Sequence, residues 1–214
     1  MTEFIDIPSP GWPLEFGEPG RPGVVIVHDG FGRLPYLEAY ATSLAGQGFF
    51  ALVPDLFDGR ATVSPVAAVE LESALDEGFA IATIDDAVGM ARGQGASRVG
   101  VIGLGIGGRL ALRLAQSGAV DAVVAYHALL AADEAGIVPC PVLLHRADED
   151  AAAAMEADLF VSRLKEHGTP VTQHSYAAAR PGFANATMLE LLDKHAAALA
   201  FARSTYFLQA QLLD

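Results

Sequence analysis

The sequence predicts an α/β fold, a mostly parallel sheet with helices on both faces. Short, near-continuous apolar runs such as GVVIVH, FFALV, VGVIGL and AVVAY read as strands buried on both sides. Between them lie longer alanine-rich stretches with helical character, and strands that alternate with helices imply parallel pairing. At 214 residues, 52% of them hydrophobic, the chain holds enough apolar material for one well-filled core, so residues 1–214 are expected to form a single domain.

Taken in order, short strands over Phe4–Ile7 and Leu14–Phe16 precede the first strong strand, Gly23–His28. A helix over Leu37–Gly46 leads to a strand at Phe49–Val53. Helices over Ala67–Glu77 and Ala80–Gln94 follow, then the strand Val99–Leu104 and the helix Ile106–Ser117. Strands at Ala122–Tyr126 and Val142–His145, a helix over Ala152–His167, a strand at Val171–Tyr176 and a closing helix over Met188–Leu213 complete the pattern. Runs such as DAAAAMEA and HAAALA fall in the helices, where alanine loses little side-chain entropy. Ligands of such sheets collect at the carboxyl ends of the strands, so the residues just after each strand are the ones to interrogate.

Charge excludes several partners. A net charge of −13 and an isoelectric point near 4.7, with no cluster of Lys and Arg, repel nucleic acid and anionic membrane surfaces. The opening MTEFIDIPSPGWP carries acids and prolines where a signal peptide needs a basic end and an apolar run, so a cytoplasmic protein is expected. The apolar stretch 119–132 is broken by Asp121 and His127 and is too short to span a bilayer. One cysteine, Cys140, permits no internal disulfide, and the His, Asp and Glu spacings match no zinc pattern, so neither metal nor cofactor is expected. The partner expected is a small molecule; the sequence sets no oligomeric state.

The stretch RVGVIGLGIGGRLALRLAQ, a strand, a glycine turn and a helix, fits two chemistries. Gly103, Gly105 and Gly108 satisfy the G-x-G-x-x-G of a dinucleotide loop. That motif also wants an acid at the end of the next strand to hold the ribose, and AVVAYHALL offers none. The other reading is the elbow of a hydrolase.

Four stretches decide between them: PGVVIVHDGFGRLPYLEAYATSLAGQGFFALVPDLFDGR, IDDAVGMARGQGASRVGVIGLGIGGRLALRLA, CPVLLHRADED and VTQHSYAAARPGFAN. In order and spacing, from about Pro22 to the last helix, they resemble the dienelactone hydrolase family of α/β-hydrolases; VPDLFDG and VIVHDGFG are the most specific pieces. The resemblance implies the α/β-hydrolase fold and an elbow G-x-C-x-G or G-x-S-x-G, with an Asp after the next long strand and a His just before a GFA segment. Here the elbow is Gly103-Leu104-Gly105-Ile106-Gly107, so the nucleophile position is Gly105. The acid falls on Asp150 and the histidine on Pro181, and no histidine lies between His174 and His195. Two of three triad positions thus hold side chains that neither attack nor carry protons. Losing a triad nucleophile or base costs on the order of a million-fold in turnover, so hydrolysis by the family's route is not expected.

What remains is a scaffold with polar residues around it. Glycine takes the elbow's strained backbone readily, and the Ile106 amide with one from the Asp29-Gly30 loop forms an oxyanion-type pair. His28 and Asp29 follow the first strong strand, Asp29 at a place where the resemblance implies an acid contacting the nucleophile; His127 and Tyr126 end the strand after the elbow helix. The candidate acid–base residues are therefore Asp150, His127, Asp29 and His28, and the candidate ligand contacts are Gly30, Gly105, Ile106 and Tyr126. Each has a plain alternative: a backbone-bonded histidine at 28 or 127, a solvated loop acid at 150. Three functions compete: a degenerate hydrolase that binds a small carbonyl- or carboxylate-bearing molecule or a partner; an isomerase, lyase, cyclase or water-mediated hydrolase working in the old pocket; and a dinucleotide binder at Gly103–Gly108.

Overall fold

The computed structural model describes residues 3–134, 136–148 and 151–213. Its centre is a seven-stranded sheet in the order β2-β4-β3-β6-β7-β8-β9. β2 (Leu14–Phe16) runs antiparallel to β4 (Phe50–Val53) at one edge. The others, β3 (Gly23–Val27), β6 (Val99–Leu104), β7 (Ala122–Tyr126), β8 (Val142–Asp148) and β9 (Val171–Ala177), are parallel. This is the α/β-hydrolase architecture that the resemblance implied.

Side chains alternate across the strands and feed two cores. Val25, Val27, Leu52, Val99, Val101, Val123 and Leu144 pack under α3 (Glu77–Gly93), α4 (Ile106–Ala115) and α5 (Ala151–Glu166). Val24, Ile26, Ala51, Ile102, Val124 and Tyr126 pack under α1 (Tyr36–Ala45) and α6 (Lys194–Leu212). Burial on both faces is why these strands lack the polar alternation of a half-exposed sheet. Among the described residues, no helix is long and apolar enough to cross a membrane.

Several boundaries differ from the sequence reading. The first short strand, β1 (Ile5–Asp6), leaves the main sheet and pairs with an unexpected β5 (Arg60–Ala61). The helix expected over Ala67–Glu77 is α2 (Pro65–Ser73): Pro65 begins it and Asp76, accepting from the Phe79 amide at 3.0 Å, starts α3. β8 runs three residues past His145 because Arg146, Ala147 and Asp148 pair with Ser175, Tyr176 and Ala177. The closing helix starts at Lys194 instead of Met188. Residues 185–192 fold into successive turns, Met188 to Asn185 and Leu191 to Met188, and Asp193 Oδ1 then accepts from the His195 and Ala196 amides at 3.0 Å each.

That cap fixes the segment next to the site. Asp193→Ala should lower stability by about 1 kcal/mol while Asp193→Asn retains most of it, read from urea unfolding midpoints.

Candidate functional site

The glycine turn joins β6 directly to α4. Gly105 has φ 51° and ψ −121°, a left-handed conformation that costs a residue with a Cβ roughly 1–2 kcal/mol. Its amide donates to the Tyr126 carbonyl at 2.9 Å, and its carbonyl accepts from Gly108 and Arg109, which starts the helix. The other glycines serve close packing. A Cβ on Gly103 would overlap the backbone of Gly107; one on Gly107 would overlap the His28 carbonyl; one on Gly108 would stand 2.7 Å from the Ala128 Cβ. Three of the turn's four glycines thus answer to packing of the chain against itself. Only Gly105 faces space, its nearest neighbour being the Asp29 Cβ at 3.4 Å.

Above Gly105 lies a cavity of about 280 Å³. Phe31, Pro65, Ala68, Val69, Leu104 and Ala184 give it apolar walls, and Asp29, Glu72, His127 and Asn185 supply its polar side chains. Gly30, Tyr126 and Pro181, the position that the resemblance assigns to histidine, line it as well. Ile106 packs its side chain on the core, while its amide, at the first position of α4, meets no acceptor among the described residues. The Gly30 amide is free in the same sense.

Asp29 is buried. Its carboxylate accepts from the Phe31 amide at 3.0 Å and from Asn185 Nδ2 at 3.2 Å. Burial raises its pKa despite those bonds and the nearby His28. His127 has a φ of 50°, sparse territory for any residue but glycine, and this backbone turns its ring off the end of β7. Nδ1 accepts from the Ala147 amide at 3.3 Å, which leaves the proton on Nε2 of the neutral ring, and that atom is buried without a partner among the described residues. Phe183 meets the ring edge-on at 5.0 Å. Burial pushes the His127 pKa down to about 4.

The remaining candidates sit elsewhere. His28 is fully buried: Nδ1 donates to the Asp29 carbonyl at 2.8 Å and Nε2 accepts from the Leu56 amide at 2.9 Å, so neither nitrogen is left for a ligand. The Tyr126 hydroxyl contacts Ser204 Oγ at 2.9 Å and the Tyr40 hydroxyl at 3.2 Å, so Tyr126 offers the cavity its ring alone. Ser204 also meets His145 Nε2 at 2.9 Å, a serine–histidine pair sealed in the core. Asp55 caps its own loop through the Phe57 and Gly59 amides at 3.0 and 2.6 Å. Cys140 is buried just before β8 begins, at the opposite end of the sheet from the elbow, with a thiol pKa raised by burial to about 11. Asp150 lies outside the described residues.

Two cavity residues escaped the sequence reading. Asn185 is fixed by its bond to Asp29 across a separation of 156 residues, which no local pattern announces. Glu72 looks like any solvated acid of an amphipathic helix, yet α2 carries it to the cavity mouth.

Residues 15–212 match the dienelactone hydrolase family. A carboxymethylenebutenolidase of Pseudomonas sp. (strain P51) is 26% identical over 228 residues, covering 91% of this chain and 96% of that one. A relative in Methylorubrum extorquens, named after the same enzymes, is 29% identical over 148 residues; the match spans 65% of this chain and about half, 48%, of that protein. Among solved structures, a dienelactone hydrolase-like promiscuous phosphotriesterase from metagenomic libraries superposes with a TM-score of 0.79 at 19% identity, covering 98% and 97% of the two chains. The dienelactone hydrolase of Anabaena variabilis gives 0.72 at 18%, covering 99% and 98%. At these identities the structures support the fold alone.

The buried His127 makes a pH prediction. An imidazole kept neutral when folded but free to protonate when unfolded lets the unfolded chain bind more protons, so its contribution is complete above about pH 6.5 and is lost as pH falls toward about 4. His145, pushed down to about 3 by burial and by His174, Arg203 and His127, acts the same way, while the raised Asp29 acts oppositely. Thermal unfolding should therefore show wild type losing more stability than His127→Gln between about pH 7 and about pH 4.5; equal losses would contradict the assignment.

Proposed function

Because the chain belongs to the dienelactone hydrolase family, we propose that it uses the family's cavity to bind a small carbonyl compound without forming a covalent acyl intermediate. The observation that carries this reading is Gly105: an elbow with its strained geometry intact opens onto a cavity whose described lining holds no serine, threonine, cysteine or lysine. Acyl transfer needs an attacking atom and a base to take its proton; position 105 has no side chain and position 181 is proline. What the site retains is hydrogen-bond donors. The Ile106 and Gly30 amides and the Nε2 proton of His127 suit a carbonyl oxygen, and the apolar walls suit a small hydrocarbon body. A small-molecule ligand, with no nucleic acid or membrane partner and a cytoplasmic setting, belongs to the same proposal.

A second reading is favoured by one observation: Asp29 and His127 line the same cavity. A carboxyl with a raised pKa and a neutral imidazole over one ligand are the parts of an acid–base catalyst, one moving a proton at the carbon beside a carbonyl while an amide pair holds the resulting oxyanion. His28 takes no part in this scheme, its nitrogens being engaged by backbone.

Calorimetric titration with small neutral lactones and ketones should show saturable binding, and hydrolysis of p-nitrophenyl acetate should stay at the buffer rate. Gly105→Leu, which aims a side chain into the cavity, should abolish that binding. Ester turnover at rates typical of the family, or binding indifferent to Gly105→Leu, would overturn the proposal. Deuterium exchange beside the ligand carbonyl, lost in Asp29→Asn and His127→Gln, would select the acid–base reading, and its absence would retire it.

A further inference from the structure

Glu72 stands where a side chain of residue 30 would be. A Cβ on Gly30 would overlap the Glu72 carboxylate, lying 2.6 Å from its Cδ and 2.8 Å from its Cγ. Gly30 does not have the left-handed backbone that calls for glycine at Gly105. What its bare Cα provides is a seat for an incoming carboxylate. The Glu72 side chain makes no hydrogen bond or ion pair among the described residues, and both Glu72 and Asp29 line the cavity. The Glu72 carboxylate lies against Gly30, the residue next to Asp29, so the two acids share one side of the cavity; burial and the Asp29 charge both raise the Glu72 pKa. No Lys or Arg is found among the described residues of the lining.

We propose that Glu72, seated on Gly30, acts with Asp29 as an anion-excluding pair that restricts the cavity to uncharged carbonyl ligands and turns away those bearing a carboxylate. This rests on the carbonyl-binding reading above and narrows its ligand class. A ligand oxygen directed to the Ile106 amide enters beside these two acids, Asp29 buried and Glu72 at the exposed rim; a neutral lactone meets their dipoles, whereas a carboxylate anion meets their charge. Glu72 is a specificity-determining residue on this account, and Gly30 is what admits it.

The test compares two probes by calorimetry at low ionic strength: but-2-en-4-olide, which is neutral, and a carboxymethylene-butenolide, which carries a carboxylate. The wild-type protein should favour the neutral lactone by about tenfold or more, and Glu72→Gln should narrow that ratio by about threefold or more, an effect that added salt diminishes. Gly30→Ala keeps every charge and the amide but displaces the flexible Glu72 side chain, so it should narrow the ratio as Glu72→Gln does. Unfolding midpoints confirm that the variants are folded. Equal binding of the two probes, or a ratio unchanged in both variants, overturns the anion-excluding pair and leaves carbonyl binding standing. If neither probe binds any of the three proteins, both readings are overturned.

Discussion

The close passage of β6 into α4 is the constraint on which the site depends. A strand that turns into a helix within one residue needs a backbone with positive φ at the bend and no Cβ where strand and helix cross. Gly103, Gly107 and Gly108 clear the crossing, against each other, the His28 carbonyl and Ala128, and Gly105 makes the bend. The turn also aims the amino end of α4 at the mouth of the sheet, where the free Ile106 amide and the helix dipole favour a partial negative charge. Arg109 holds that helix in place from the far side, bonding Glu77 at 2.7 Å and Glu134 at 3.0 Å.

Around this turn, protons are stored in unusual places. Asp29 is a carboxyl whose burial favours its neutral form, and His127 is an imidazole whose burial does the same. Burial disfavours the charged form of both groups, and the described lining of the cavity holds no Lys or Arg. His127 holds its donor only because a backbone strained at φ 50° and the Ala147 amide set its ring orientation. Strain of this kind persists where the surrounding structure over-determines it, and here β8, through Ala147, and Phe183 do so.

Much of this was legible in the sequence. Continuous apolar strands announced the doubly covered parallel sheet, because burial follows local rules; the glycine spacing alone fitted a dinucleotide loop or an elbow, and the resemblance of the surrounding stretches favoured the elbow. His127 at a strand end and Asp29 in a strand-following loop could be nominated on the same grounds. The division of labour between His28 and His127 could not: both follow apolar strands, and only the fold shows that Leu56 and Asp29 take up the nitrogens of the first, while Nε2 of the second has no partner among the described residues. Glu72 and Asn185 were illegible for a related reason. Their roles come from packing α2 and the segment after β9 over the sheet, contacts between residues far apart in the chain. Composition extends the closing helix back to Met188, because Met188 to Leu192 suits a helix, whereas the cap made by Asp193 decides where the helix begins.

The central claim is that the covalent route is closed at position 105. Intact-mass measurement after incubation with an activated ester and with a fluorophosphonate tests it most directly, since each leaves a tag on a competent hydrolase nucleophile. The account predicts an unmodified mass with both reagents. A stoichiometric adduct that maps to any residue lining the cavity would contradict it.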